Sequence, residues 1–427
     1  MGDTNSKKRL GILVGGGPAP GINGVIGAAT IEALNRGLEV VGILDGFKWL
    51  SRNDTNHTVK LSYADVEQTR FRGGSMLHTS RENPTKDEQK MQNVVAALKT
   101  MGIDYLVTIG GDDTAFSASK TSQYGAGAIK VAHVPKTIDN DLPLPGNMPT
   151  FGFQTARHYG GELVRNLVND ARTTRRWYLV VAMGRTAGHL ALGMGTCGDA
   201  NLTIIPEELP DEGYSLDLLC DTIECAMLKA KVTRGDDCGV VVVAEGIAEF
   251  CANDLKEHPL VAVKYDEHGH WRLAEVPFAL ILKRKLQERA EARGEKTTYV
   301  DITVGYELRC SDPISVDVQY TEQLGWGAVR YLLGIGEESY ERGGAMISIQ
   351  AGDVVPIPFS DILDPKTGKT SVRRVNVHSD HYRCARSFMT RLERDDLSDE
   401  TLLGKLAEGA GTTPEDFKAQ FGPVVGA

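Results

Sequence analysis

Several features that would assign a chain to a membrane, secreted or nucleic-acid-binding class are missing here. No run approaches the ~18 consecutive apolar residues of a membrane span, and Met1 to Leu10 hold no apolar segment of the kind that directs secretion. Basic residues are the minority, 47 Lys and Arg against 57 Asp and Glu, so a formal charge of −10 gives no support to an extended nucleic-acid or anionic-membrane surface. The seven cysteines (Cys197, Cys220, Cys225, Cys238, Cys251, Cys310 and Cys384) form no Cys-x-x-Cys pair and are odd in number. That argues against a disulfide or zinc framework and for small core residues in a reducing compartment. The chain also lacks a Walker loop, a dinucleotide fingerprint and any solenoid or coiled-coil repeat. The expectation is a cytoplasmic globular protein with no nucleic-acid or membrane partner.

What is present is length and glycine. A chain of 427 residues predicts two or three domains. Its 47 glycines exceed the usual ~7% share and gather at the ends of apolar runs, where turns and close backbone approach need them. Leu10–Val14, Glu39–Leu44, Tyr105–Ile109 and Ala128–Val134 read as short buried strands, with helices over Ile22–Arg36, Gln89–Thr100 and 114–121. The rhythm restarts after Phe151: a helix over 155–170, strands at Trp177–Ala182, Leu202–Ile205, Gly239–Gly246 and 299–304, and helices over 216–230 and 275–293. Continuous apolar strands alternating with helices predict parallel sheets covered on both faces. Pro356–Pro365 reads as loop and 388–407 as helical pieces.

Loops after the apolar strands carry groups suited to phosphate chemistry. Gly15–Gly24, with Gly16 and Gly17 as the candidate donor-binding positions, offers backbone amides at a helix start that favours negative charge. Arg72 stands before two glycines, free to reach a phosphate or simply exposed beside a turn. Asp112 and Asp113 place two carboxylates in one tight turn, which suits magnesium or a helix cap. The most specific segment is Pro135-Lys136-Thr137-Ile138-Asp139-Asn140-Asp141, read as a loop. There Asp139 can take a proton from an alcohol attacking a phosphoryl group, Lys136 can offset charge and Asp141 can position the base or a metal water. Met183-Gly184-Arg185 adds another strand-end arginine, and Glu245-Gly246 can hold sugar hydroxyls or simply end a strand.

Together with Phe151–Thr155 and Gly305–Arg309, these segments resemble, in order, the phosphofructokinase family over about residues 9–330. The resemblance implies an α/β protein of two Rossmann-like three-layer domains with the active site in the cleft between them. The expected division is 1–152 plus about 308–360 for a phosphoryl-donor domain, and 153–307 plus about 361–427 for a sugar-phosphate domain with a C-terminal extension. It implies Asp139 as the base acting on the sugar 1-hydroxyl, supported by Thr137 and Asp141, with Asp112 associated with Mg2+. Arg72 would help stabilise the transferring group, and Arg185 would correspond to an active-site arginine. Met183, Gly184, Glu245, Tyr306 and Arg309 would lie on the sugar phosphate, and Arg176 would reach it across a subunit interface. A homodimer at least is then expected, with a homotetramer as a further assembly.

Two positions bear on the donor. ATP-dependent relatives usually have glycine where this chain has Asp113 and Lys136. The carboxylate of Asp113 would fill and charge the space of a nucleotide α-phosphate, and Lys136 supplies positive charge toward pyrophosphate. The pair marks pyrophosphate-dependent members, so the expected reaction is reversible, Mg2+-dependent transfer from pyrophosphate to fructose 6-phosphate, giving fructose 1,6-bisphosphate and phosphate. The alternatives are an ATP-dependent 6-phosphofructokinase and a noncatalytic sugar-phosphate sensor. The chain departs from the family at Arg309-Cys310-Ser311, where many relatives have Arg-Gly-Gly, and at Val300, where a second cross-subunit arginine is expected. Lys296 or Arg383 could replace that arginine, and sedoheptulose 7-phosphate is an additional candidate acceptor. The histidine pairs His268/His270 and His378/His381 lack the ligand geometry of a zinc motif.

Overall fold

A computed structural model describes residues 7–210, 213–265, 271, 273–336, 343–362 and 370–426; the His268/His270 pair lies outside them. The chain divides into two compact units, Met1–Ala156 with Tyr306–Arg373, and Arg157–Gly305 with Arg374–Ala427. Residues 370–373, expected in the second domain, group with the first. The reason is local: Arg373 donates its backbone N–H to the Asp141 carbonyl at 2.7 Å and its side chain to the neighbouring turn.

The first unit is built on an eight-stranded sheet. Its strands run in the order Asp353–Pro358, Ala345–Gln350, Lys130–Thr137, Ile103–Gly110, Arg9–Val14, Glu39–Ile43 and Thr58–Leu61, with Phe151–Gly152 paired separately to Lys130–Thr137. Only the two outermost pairings are antiparallel. Side chains alternate between two apolar layers, as a parallel sheet buried on both faces requires. Leu10, Ile12, Val14 and Val107 face a cluster shared with helices Ile22–Asn35 and Ser315–Leu333. Leu13, Leu106 and Val131 face Val94, Leu98 and Ala118 from helices Glu88–Thr100 and Asp112–Gly125.

The second unit has four parallel strands in the order Tyr299–Val304, Trp177–Ala182, Gly239–Ala244 and Leu202–Ile204. Trp177, Leu179, Val181, Val241 and Val243 pack on helices Leu216–Arg234 and Phe278–Ala292. The C-terminal helices Glu400–Gly409 and Pro414–Phe421 cover the far side of Leu216–Arg234, burying Leu403, Leu406, Phe417 and Phe421 against Cys225 and Leu228.

Two segments differ from the sequence reading. Asp353–Val355 opens a strand that runs into the expected loop at Pro356–Pro358, because an edge strand tolerates residues without an N–H donor. Lys130–Thr137 continues as strand through Pro135 and Lys136 to Thr137, pairing Pro135 with Gly110 and Lys136 with Phe151. All seven cysteines are free, but only Cys220, Cys225, Cys238 and Cys251 are buried; Cys197, Cys310 and Cys384 are exposed.

Candidate active site

In the first unit the central neighbours Arg9–Val14 and Ile103–Gly110 send their connections to opposite sides of the sheet. A crevice opens at the carboxyl ends of such strands, and both phosphate-type loops leave from there. Gly15 N–H donates to Ile109 O at 2.8 Å, joining them at the base. A Cβ on Gly15 or Gly110 would stand 2.4 or 2.3 Å from Thr114 Oγ1, so both positions must be glycine for the strand ends to meet the next helix. Gly16 has φ +79, a left-handed turn that glycine adopts without strain.

Lys136 is buried, and its ammonium donates to the Gly17 carbonyl, so the lysine lies under the first glycine loop. The Arg309 guanidinium carbon comes within 3.5 Å of where a Gly17 Cβ would be, and stacks over the Tyr306 ring at 4.7 Å. Asp112 and Asp113 open helix Asp112–Gly125, with Gly111 as the capping residue. Asp112 accepts a hydrogen bond from the Thr370 hydroxyl, and Asp113 one from Asn83 Nδ2 at 3.4 Å. Gly16, Gly17, Asp112, Asp113, Lys136 and Arg309 thus belong to one strand-end neighbourhood.

After strand Lys130–Thr137 the backbone turns tightly. Asp139 N–H donates to Thr137 Oγ1 at 3.0 Å, and Thr150 Oγ1 donates to the Thr137 carbonyl at 2.9 Å. Asn140 takes the left-handed conformation, φ 58, between Asp139 and Asp141. Burial lowers the pKa of Arg373, and the nearby Asp141 carboxylate opposes that shift.

Arg72 pairs with Asp312, Nη1 to Oδ2 at 3.1 Å, while Gly73 N–H donates to Asp312 Oδ1 at 2.8 Å. The Gly73 amide first, and then Arg72, lowers the pKa of Asp312. Asn23 braces the same turn by donating to the carbonyls of Arg72 and Gly73. A Cβ on Gly73 would fall 2.0 Å from the Cys310 carbonyl oxygen. The unusual Arg309-Cys310-Ser311 turn therefore lies directly on the Arg72 loop.

In the second unit the neighbours Trp177–Ala182 and Gly239–Ala244 end at Met183-Gly184-Arg185 and Glu245-Gly246. Glu245 is buried, and its Oε1 accepts the N–H groups of Gly184 at 3.0 Å and Arg185 at 2.7 Å. Arg185 is exposed and has φ 51, a conformation held by those two bonds. A Gly246 Cβ would stand 2.2 Å from the Arg185 carbonyl oxygen, which excludes any larger residue there. Arg176 is not brought to this group. It precedes Trp177 at the opposite end of the six-residue strand, ~23 Å from Met183 at ~3.3 Å per residue. Val300 pairs with Tyr178 near that same end.

Sequence reasoning missed Asp312, Thr370 and Arg373. Only Asn140 carried a local signal, since Asn favours the left-handed region. Among the described residues, no three His, Cys, Asp or Glu side chains gather closely enough to hold a metal ion by themselves.

The phosphofructokinase family profile matches residues 9–332. Over 415 residues the chain is 55% identical to a pyrophosphate–fructose 6-phosphate 1-phosphotransferase of Thermotoga maritima, covering 97% of this chain and 98% of that protein. It is 47% identical to a protein of the same name from Naegleria fowleri, covering 96% and 94%. An ATP-dependent 6-phosphofructokinase of Chloroflexus aurantiacus is 30% identical over 90% of this chain and 97% of its own. The fold is similar to that of a pyrophosphate-dependent phosphofructokinase from Marinobacter aquaeolei, with a TM-score of 0.65 at 16% identity over 98% of this chain and 92% of the other.

Proposed function

The chain belongs to the phosphofructokinase family, and from that premise we infer that it transfers a phosphoryl group from pyrophosphate to fructose 6-phosphate. The observation that carries the donor choice is the Asp113–Lys136 pair, read beside two near-full-length relatives that bear the pyrophosphate-dependent name.

The first unit carries the donor and base groups. Gly16 shapes the donor loop, its own N–H being donated to the Ser80 carbonyl at 2.8 Å, so Gly17 offers the backbone amide to pyrophosphate, and Lys136 brings a buried positive charge to the same loop. As the sugar 1-oxygen attacks phosphorus, Asp139 takes its proton and the bridging P–O bond breaks, releasing phosphate. Thr137 and Asp141 hold Asp139 in place. Arg72 and Arg185 offset charge on the transferring group. For Arg72 this means leaving Asp312, an exposed pair worth under ~1 kcal/mol. Met183, Gly184, Glu245, Tyr306 and Arg309 bind the sugar phosphate. Glu245 spends Oε1 on the Gly184 and Arg185 amides and turns Oε2 to a sugar hydroxyl.

Asp112 suits Mg2+, a hard cation that usually takes one or two carboxylates and completes its shell with water and substrate phosphate oxygens. When bound it would neutralise charge on pyrophosphate. Both sides of the reaction carry a phosphate bond of comparable potential, which makes transfer reversible. Arg176, remote from its own Met183, serves a neighbouring subunit, so the working form is at least a homodimer, with a homotetramer as its doubled form. Lys296 or Arg383 takes the place of the arginine expected at Val300, and sedoheptulose 7-phosphate is a second acceptor. The site of action is the cytoplasm; among the described residues, no helix is long and apolar enough to cross a membrane.

The test is fructose 1,6-bisphosphate formation from fructose 6-phosphate and Mg2+, with pyrophosphate and ATP in parallel. Turnover with pyrophosphate alone is expected. Turnover with ATP alone would overturn the donor assignment, and binding of sugar phosphate without turnover would leave a sensor.

A further inference from the structure

The acidic turn at Asp139 is held by a residue more than two hundred positions away. Arg373 Nε donates to the Asn140 carbonyl at 3.0 Å, and Nη1 donates to the Met148 carbonyl at 2.7 Å. Nη2 donates to Asn140 Oδ1, which also accepts from Thr150 N–H at 3.1 Å. The Arg373 backbone N–H adds a bond to the Asp141 carbonyl at 2.7 Å. Three residues earlier, Thr370 donates its hydroxyl to Asp112. One short segment therefore touches both acidic loops of the first unit.

We propose that Arg373 is a positioning residue for phosphoryl transfer, acting on Asp139 through Asn140. Asn140 is the link because its peptide planes are shared with Asp139 on one side and Asp141 on the other, and those planes are rigid. Its left-handed conformation is open to an asparagine but is one of several it can take, so fixed partners for its oxygens select it. Arg373 supplies that selection by taking the main-chain oxygen of Asn140 with Nε and its side-chain oxygen with Nη2, both on one rigid planar group. A lysine offers a single ammonium and cannot span both oxygens. Misplacement of a reacting group by ~1 Å costs on the order of 100-fold in rate, so a loosened turn should appear in kcat.

The inference rests on Asp139 as the base, and the experiment separates the two. Arg373→Lys, Arg373→Ala and Asp139→Asn are compared with the full-length wild type by kcat, KM for fructose 6-phosphate, thermal midpoint and circular dichroism. Arg373→Ala is expected to lower kcat by on the order of 100-fold and Arg373→Lys by ~10-fold, with KM changed less than ~3-fold. Low millimolar guanidinium should restore part of the kcat of Arg373→Ala, whereas equal concentrations of urea or sodium chloride should not. A purely structural role would not respond to guanidinium in this way. Wild-type kcat in a folded Arg373→Lys enzyme, with Asp139→Asn inactive, overturns the proposal and leaves the base assignment standing. Failure of both Arg373 variants to fold makes the residue a fold clamp and also overturns it. An active Asp139→Asn enzyme removes the base assignment, and this proposal with it.

Discussion

The Glu245 carboxylate holds the turn at Arg185 through one oxygen, accepting the Gly184 and Arg185 amides at 3.0 and 2.7 Å. The arginine it positions has a backbone conformation that few non-glycine residues adopt, φ 51. Removing the carboxylate strands the Gly184 donor, which is buried, and the Arg185 donor, which is partly so, and each hydrogen bond to a charged group is worth ~1.5–3 kcal/mol. Glu245→Ala should therefore lose on the order of 100-fold or more in kcat/KM for fructose 6-phosphate. Glu245→Gln keeps an acceptor oxygen and should lose ~10-fold. Steady-state kinetics checks this, and an Ala variant within twofold of wild type would remove Glu245 from the site.

Donor choice should respond to the two charged positions together. Lys136→Gly removes the ammonium bonded to Gly17 O, and Asp113→Gly removes a carboxylate from the first turn of the following helix. Each single change should lower kcat/KM with pyrophosphate by ~10–100-fold, the size of a lost charged hydrogen bond. The double variant should gain measurable turnover with ATP. Because both changes act on one loop neighbourhood, their effects should not add. An unchanged pyrophosphate-to-ATP ratio in the double variant would defeat the donor reading.

How far the sequence showed this site depended on how local each feature was. Parallel strands such as Leu10–Val14 and Gly239–Ala244 were legible because burial on both faces makes them continuously apolar. Lys136, Thr137, Asp139 and Asp141 stood out as candidates because they fall within six consecutive residues. Thr370 and Arg373 were not, since their partners Asp112 and Asn140 lie 258 and 233 positions away. Nothing in a polar C-terminal stretch marks which arginine will return to the sheet. The strand at Asp353–Pro358 was hidden for another reason: its prolines read as loop, yet at a sheet edge they cost no ladder bond.

His133 ties stability to pH. It is fully buried in strand Lys130–Thr137, where Nε2 donates to the Gly110 carbonyl at 3.0 Å and the Thr108 hydroxyl meets Nδ1 at 2.9 Å. Burial pushes its pKa down to about 3 from 6.5. A depressed pKa means the neutral ring is favoured in the fold. Its contribution is therefore fully present above pH 6.5 and is lost progressively as pH falls from there toward 3. At ~1.4 kcal/mol per unit, several kcal/mol are at stake over that range. His133→Gln, which cannot become charged, should be less stable at pH 7 but lose less on acidification. Denaturant unfolding at pH 7, 5.5 and 4.5 checks this; parallel slopes for the two proteins would assign the acid sensitivity to other groups.

Arg176 supplies the test of shared sites. It stands just before strand Trp177–Ala182 and Met183 just after it, so within one chain a full strand length separates Arg176 from the Met183–Arg185 turn. If it completes the site of a neighbouring subunit, Arg176→Ala and Asp139→Asn damage different sites when placed in different chains. In a mixed dimer one site then receives intact Asp139 from the Arg176→Ala chain and intact Arg176 from the Asp139→Asn chain. The other site collects both defects. Random reassociation makes half of the dimers mixed, each with one of its two sites intact, so a mixture of two nearly inactive proteins should recover about a quarter of wild-type activity. The recovery should need subunit exchange, appearing after dissociation and reassociation and not on simple mixing of stable dimers. If Arg176 acts within its own chain, each mixed dimer holds only damaged sites, and no recovery is seen.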